Sequence, residues 1–243
     1  MTDRVNKRTL SKPLYRIFTG VPRRYDLINR IATWCLDQRW RLKAAVECLS
    51  CHPERVLDLC CGTGDLAIIL ARLSENYVSL AGVDYSQPML DIAARKAEYS
   101  AAASRISFFH ADVANLAFPD GYFNSVGISF AFRNLTYKNP LADRYLAEVL
   151  RILTVGGRFV IVETSQPESR LIQRLFHLYM RWFVYWVGCL LSRNRAAYRY
   201  MSESVARFFS PREVVELLLK AGFRQVSSRS LFLGAISIHI AVK

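Results

Sequence analysis

A chain of 243 residues, 52% of them apolar, can bury a sizeable core, and at mean hydropathy +0.11 it is too apolar to be disordered. Its net charge of +13 is segregated: residues 1–55 carry +7 and 166–243 carry +8, while 56–165 carry −2, so the flanks are expected to face something anionic, phospholipid headgroups or a nucleic-acid backbone. No apolar run follows the basic start, which argues against a secretory signal. The six cysteines (Cys35, Cys48, Cys51, Cys60, Cys61 and Cys189) fit no standard metal spacing and read as buried thiols of a reduced, intracellular protein with no metal.

Residues 14–49 read as a helical N-terminal region with Tyr25, Leu27, Ile28, Ile31, Trp34 and Trp40 on a broad apolar face. From Val56 onward strands and helices alternate. The strands fall at 56–60, 77–83, 106–110, 123–130 and 158–163, the last entered through a turn at Gly156-Gly157. The helices fall at 64–73, 88–103, a short segment before Phe123, and 141–153. This order predicts a parallel sheet with right-handed crossovers.

Residues 167–209 interrupt the alternation with a helical insertion, a hairpin or lid. Its apolar run is broken by Arg174, His177 and Arg181, leaving ten uncharged residues, Trp182–Leu191. A bilayer span needs about 20, so the segment is not transmembrane. It is expected either to lie on a membrane surface or to cap the sheet and line a pocket. Ser210-Pro211 then starts a helix that Gly222 ends. Strands at 225–231 and 235–242 complete the sheet. The expectation is a single α/β domain over residues 1–243: a Rossmann-like, seven-stranded, mostly parallel sheet with an antiparallel C-terminal edge strand and helices on both faces. Residues 56–165 form its cofactor-binding core and 210–243 its C-terminal helix and hairpin.

The stretch Val56-Leu57-Asp58-Leu59-Cys60-Cys61-Gly62-Thr63-Gly64-Asp65-Leu66 carries most of the chemistry. It reads as strand, tight loop and helix, and a second strand ends in Asp84, 22 residues after Gly62. That spacing sets a carboxylate beside the ribose hydroxyls of a nucleoside lying over Gly62 and Gly64. The loop is D-x-C-x-G-x-G rather than G-x-G-x-x-G. Asp58 would repel a dinucleotide pyrophosphate and hold a cationic nucleoside, S-adenosylmethionine, through its amino group and sulfonium. After the third strand, Asp112 is placed to bond an adenine amino group while Val113 packs on the ring. Ser129 to Asn134, at the carboxyl end of the fourth strand, should lie over the methyl group. An Asn/Asp-Pro-Pro-aromatic sequence is missing there, which argues against methylation of nucleic-acid bases. Arg133 in an apolar pocket suits a phenolate or enolate; the alternative is an arginine paired with an acid such as Asp26 or Glu163.

The motifs VLDLCCGTGDL, GVDYSQPML, DVANLAFPDGYFNSVGISFAFRNL, VGGRFVIVE and AAYRYMSESV resemble, in order and spacing, the demethylmenaquinone/ubiquinone-type C-methyltransferases. The resemblance runs from Tyr25-Asp26 almost to the C-terminus. It implies carbon methylation of a prenylated quinol by S-adenosylmethionine, with Thr63, Asp84, Asp112, Val113 and Ser129 on the cofactor. Arg133 and Asn134, with Tyr25, Tyr198 and Tyr200, would line the ring pocket, which puts residues 14–49 on the substrate side. Cys60 and Cys61 stand where the family usually has Ala or Gly and then Gly.

On this reading the quinol hydroxyl loses its proton to water or a Tyr/His network, with His177 a candidate base, and Arg133 holds the phenolate. The basic flanks would sit on the inner, cytoplasmic face of the membrane, no nucleic acid is a partner, and a homodimer is compatible with the chain. Competing readings are another phenolic or lipid-like acceptor, an RNA methyltransferase recruited by the basic flanks, and a noncatalytic cofactor-binding subunit.

Overall fold

A computed structural model describes residues 22–100, 102–192, 199 and 203–243. Helices α1 (Pro22–Ala32) and α2 (Leu36–Leu49) precede the sheet, separated by a break in which Trp34 and Cys35 take left-handed φ values of 53° and 60°. Then follow β1 (Arg55–Leu59), α3 (Asp65–Leu73), β2 (Ser79–Asp84), α4 (Gln87–Tyr99), β3 (Ile106–His110), β4 (Phe123–Ser129), α5 (Phe132–Thr136), α6 (Ala142–Ile152) and β5 (Leu153–Thr164). Helices α7 (Arg170–Tyr179) and α8 (Tyr185–Ser192) are joined by a π-helical turn at Met180–Val184, and α9 (Pro211–Lys220), β6 (Gln225–Leu231) and β7 (Ile236–Val242) end the chain.

The seven strands are ordered β3-β2-β1-β4-β5-β7-β6. The pairs from β3 across to β5 are parallel, and β7 runs antiparallel to both β5 and β6. The antiparallel C-terminal strand therefore lies one place in from the margin, and β6 is the outer strand of the hairpin. Along β5, Phe159 and Ile161 face one layer with α5, α6 and α9, while Val160 and Val162 face the other with α2 and α3. That alternation covers both faces with apolar side chains, as a parallel sheet requires.

Three local expectations are corrected. β5 begins at Leu153: Phe123 pairs with Leu153 and Ser125 with Arg158, so the residues between form a bulge with Gly156 at φ 75° instead of a turn. No helix precedes Phe123. The 111–122 segment stays irregular because α6 side chains satisfy its backbone: Arg144 donates to Ala114 O, Arg151 to Leu116 O and Phe118 O, and Leu116 N–H donates to Glu148. A short helix that the sequence did not announce, α5, follows β4 directly. At the start of α9, by contrast, the Ser210 cap forms as read, with Glu213 N–H donating to Ser210 Oγ and Ser210 N–H donating to Glu213.

His239 lies buried in the middle of β7, and burial pushes its imidazole down to about 4. A histidine whose folded pKa lies below its unfolded value stabilises the fold above that unfolded value and loses this as pH falls through the folded one. Urea unfolding between pH 7 and pH 4 should therefore show a loss of about 3 kcal/mol attributable to this side chain. His239→Leu should flatten the profile in that window. An unchanged profile would place the acid sensitivity elsewhere.

Candidate active site

The carboxyl ends of β1, β2, β3 and β4 meet in a cavity whose floor is the loop after β1. Gly64 has φ 79°, and a Cβ there would lie 2.9 Å from that of Ala93, so the turn into α3 needs glycine. Cys60 takes the left-handed φ of 54° that glycine favours, whereas Cys61 keeps an ordinary one. The Cys61 sulfur fills the space above Gly82, where a Cβ would come within 3.2 Å of it and 2.7 Å of the Phe108 ring. Burial pushes both thiols well above their ordinary range, so they are neutral groups of the loop rather than nucleophiles.

Asp84 closes the loop from the β2 side. Gly62 N–H donates to Oδ2 at 2.8 Å and Ser86 N–H to Oδ1 at 2.8 Å. Burial raises its pKa, and these two bonds oppose the rise. Each oxygen keeps a lone pair, and the residue lines the cavity, which is what two ribose hydroxyls need. Asp112 accepts Ala114 N–H at 2.9 Å through Oδ1, and Asp112 and Val113 form the wall after β3. Ser129 lies at the tip of β4, followed by Phe130 at φ 57°, whose N–H is held by Val162 O at 2.9 Å.

Asp58 is placed differently from the sequence expectation. It does not line the cavity. Its carboxyl is buried beneath the loop, where Oδ2 accepts the Ala67 N–H of α3 at 2.9 Å and burial raises its pKa to about 8. The last inward position of a central strand sets its side chain under the helix rather than toward a ligand.

Several lining residues went unread in the sequence, among them Arg41, Met89, Leu135 and Tyr145. Arg41 matters most. It comes from α2, is nearly fully buried, pairs with Asp37 one turn earlier and lies 3.9 Å from Asp65. Its guanidinium covers the Phe130 ring at 5.0 Å, and Nε donates toward Ser129 Oγ at 3.4 Å. The sequence signal was an Asp37/Arg41 pair at i,i+4 beside Trp40, a pattern that reads as a solvated helix face.

A second ion network pins α1 to the same loop. Lys96 donates to Asp26 at 2.8 Å and to Asp65 at 2.5 Å, while Thr63 Oγ donates to Asp26 at 2.6 Å. Thr63 therefore both lines the cavity and carries the N-terminal helix.

Behind Arg41 and Phe130, which belong to both walls, opens an apolar cavity of about 490 Å³. Trp34, Trp40, Ile172, Phe176, Tyr179 and Phe232 supply much of its lining. Its polar lining is Asn29, Thr33, Asp37 and Arg41 at the α1–α2 side and, facing them, Arg133 with Glu163 and Thr164. Arg133 Nη1 lies 3.7 Å from Glu163 and donates to Thr164 Oγ1 at 3.1 Å, its N–H donates to Glu163 Oε2 at 3.1 Å, and its buried Nε has no partner. The arginine is thus paired with Glu163, while Asp26 serves Lys96 instead.

Asn134 does not share this cavity. The turn of α5 points it to the cofactor side, where its buried Oδ1 is unpartnered. His177 lies outside it too, with Nε2 bonded to Gln166 at 2.8 Å. That removes it as a base for this site. Tyr25 falls within α1, and Tyr198 and Tyr200 lie outside the described residues.

A doubly wound sheet with an antiparallel β7, a glycine loop and an acid at the tip of β2 is a nucleoside-binding frame, and it is the frame of S-adenosylmethionine-dependent methyltransferases. The fold is shared with solved structures of low sequence identity. One is an S-adenosylmethionine-dependent methyltransferase, a possible histamine N-methyltransferase, from Thermotoga maritima: TM-score 0.59, 22% identity, 94% of this chain and 99% of that one. Another is an O-methyltransferase family protein from Burkholderia thailandensis: TM-score 0.65, 14% identity, 90% of this chain and 59% of that one.

Residues 4–243 match the ubiE/COQ5 methyltransferase family, and the chain belongs to it. It is 38% identical over 225 residues to the demethylmenaquinone methyltransferase of Thermus thermophilus, covering 92% of this chain and 98% of that one. It is 36% identical over 228 residues to the ubiquinone/menaquinone biosynthesis C-methyltransferase of Geobacter sulfurreducens, covering 93% and 87%.

Asp84→Asn keeps the shape but turns one acceptor into a donor facing an N–H. Losing one charged hydrogen bond should weaken S-adenosylmethionine binding about 10–100-fold by calorimetry, and the thermal midpoint should fall as well, because a loop N–H is left without its acceptor. Retained affinity would remove Asp84 from the ribose site.

Proposed function

We propose that the chain transfers a methyl group from S-adenosylmethionine to a ring carbon of a prenylated quinol, demethylmenaquinol to menaquinol, at the cytoplasmic face of a membrane. The observation that carries this reading is the apolar cavity that shares the Arg41–Phe130 wall with the nucleoside cavity and sets buried Arg133 among aromatic side chains. A polar or nucleic-acid acceptor would leave its aromatic lining unpaired with anything of like chemistry. The relatives' names supply the acceptor class, and the basic flanks fit an anionic lipid surface.

The donor brings an electrophilic methyl on a sulfonium. Asp84 would hold the ribose, Asp112 and Val113 the adenine edge and face, and Arg41 with Ser129 the carboxylate end. The unpartnered oxygen of Asn134 offers an acceptor for the amino group. On the other side of the wall, Arg133 stabilises negative charge developing on the quinol oxygen, which raises electron density at the ortho carbon. Its pairing with Glu163 holds the guanidinium in place and tempers its charge, so Arg133 acts as a fixed hydrogen-bond donor as much as a free cation. The closed apolar walls exclude water, and orientation supplies much of the acceleration.

Arg133→Lys retains a charge for Glu163 but loses the planar fork, and should lower turnover about 10²–10³-fold with donor affinity unchanged. Arg133→Ala should do the same and also destabilise the fold by about 3–5 kcal/mol, because Glu163 is left buried and unpaired. Methyl transfer is read by mass spectrometry of a lipid extract supplied with demethylmenaquinol. Full turnover in Arg133→Lys would discard the electrostatic role, and a different methylated lipid or phenol would replace the acceptor.

A further inference from the structure

The run Arg170–Ser192 has two unlike sides. Its inner side, through Ile172, Phe176, Tyr179 and Met180, closes the apolar cavity. It is clamped to the N-terminal helices: Trp34 Nε1 donates to Tyr179 Oη at 3.0 Å, and Tyr179 Oη donates to Ala32 O at 2.9 Å. Its outer side bears Leu171 at 67% exposure, Leu178 at 54%, Trp182 at 61%, Trp186 at 57% and Leu190 at 80%.

The wide turn at Met180–Val184 is what brings these residues onto one side. Nineteen residues separate Leu171 from Leu190. In an unbroken α-helix that spacing leaves them about 100° apart. A π turn takes up one residue more than an α turn, which removes about that angle and returns Leu190 to the line of Leu171. The run also holds Arg170, Arg174 and Arg181, all exposed, and no acid. Leu175 is at once 57% exposed and part of the cavity lining, so the stripe meets the cavity at its rim. Trp34 and Leu233, each 72% exposed, belong to the lining as well.

We infer that this outer stripe docks on an anionic lipid bilayer, lying in the interface plane with its arginines among the headgroups, and sets the cavity's apolar rim against the acyl chains. A line of leucines and tryptophans about five helical turns long that carries three arginines and no acid, with Arg199 and Arg207 outnumbering Glu203 beside Trp182 and Trp186, suits an interfacial helix. No helix among the described residues is long and apolar enough to cross a membrane, so the stripe lies on the surface rather than through it. The inference rests on the proposed acceptor only for its purpose: a prenylated acceptor could enter without leaving the bilayer.

The test is sedimentation with vesicles of phosphatidylcholine alone or with phosphatidylglycerol, alongside methyl transfer to a short-chain, water-soluble demethylated quinol. The wild-type chain should bind the anionic vesicles, with tryptophan emission quenched by brominated acyl chains. The triple variant Trp182→Ser, Trp186→Ser, Leu190→Ser should bind them about tenfold more weakly or less. It should keep the wild-type thermal midpoint and its rate on the soluble quinol. Equal binding by variant and wild type, or equal binding to neutral and anionic vesicles, would overturn the docking. So would light scattering that shows a dimer which the variant abolishes, since a second copy would then own the face. Vesicle binding without methylation of any quinol would defeat the acceptor reading and leave the docking standing.

Discussion

The carboxylate of Asp84 is the interaction on which the site depends. A buried acid at a strand tip is costly unless it is bonded, and here the N–H groups of Gly62 and Ser86 bond it. The same two bonds fix the loops after β1 and β2 relative to each other. With both loops set, α3 and α4 start where they must, Gly64 closes on Ala93, and Cys61 drops onto Gly82. A ribose would meet a carboxylate already held in place, so little ordering remains to be done on binding.

Among the described residues, the cations that hold the cavity walls and the loop each have an acid beside them. Arg41 has Asp37, Lys96 has Asp26 and Asp65, and Arg133 has Glu163. Asp58, buried under the loop, has its pKa raised by burial to about 8. The apolar cavity is close to neutral, whereas Asp65, Asp84 and Asp112 against Arg41 leave the nucleoside cavity acidic. An acidic cavity suits a cationic nucleoside, and the pairing of Arg133 with Glu163 holds that guanidinium in place within the apolar one. Arg41, with its guanidinium over Phe130, is set in the wall common to both cavities.

The helical run after β5 closes the apolar cavity from outside. Its inner residues line that cavity and its tyrosine is clamped to α1, so cavity, helical run and N-terminal helices form one packed unit. One π turn within the run decides which side chains face out. A single extra residue in a helix thereby gives a continuous surface that an unbroken helix of the same sequence would have wound into a spiral.

Much of this was legible in the chain. Alternating strands and helices, the Ser210 cap, the glycine loop and the 22-residue spacing to Asp84 follow from local rules: side-chain period, turn chemistry and the reach of one βα unit. Asp112, Val113 and Ser129 were found by the same logic, as ends of successive strands. What failed depended on contacts far apart in sequence. The segment before Phe123 has no helix because α6, some thirty residues later, satisfies its backbone. Arg41 looked like a surface residue because its partners Ser129 and Phe130 lie almost ninety positions away. Asp58 and Asn134 were assigned by proximity along the chain, and the direction of one side chain, set by the pleat of β1 or the turn of α5, moved each to another neighbour. The sequence by itself determined which elements form and where a nucleoside can bind, because those are set within a few residues. Only the tertiary structure decided which charges are paired and which cavity each side chain enters, because burial and partners exist only once distant segments have packed.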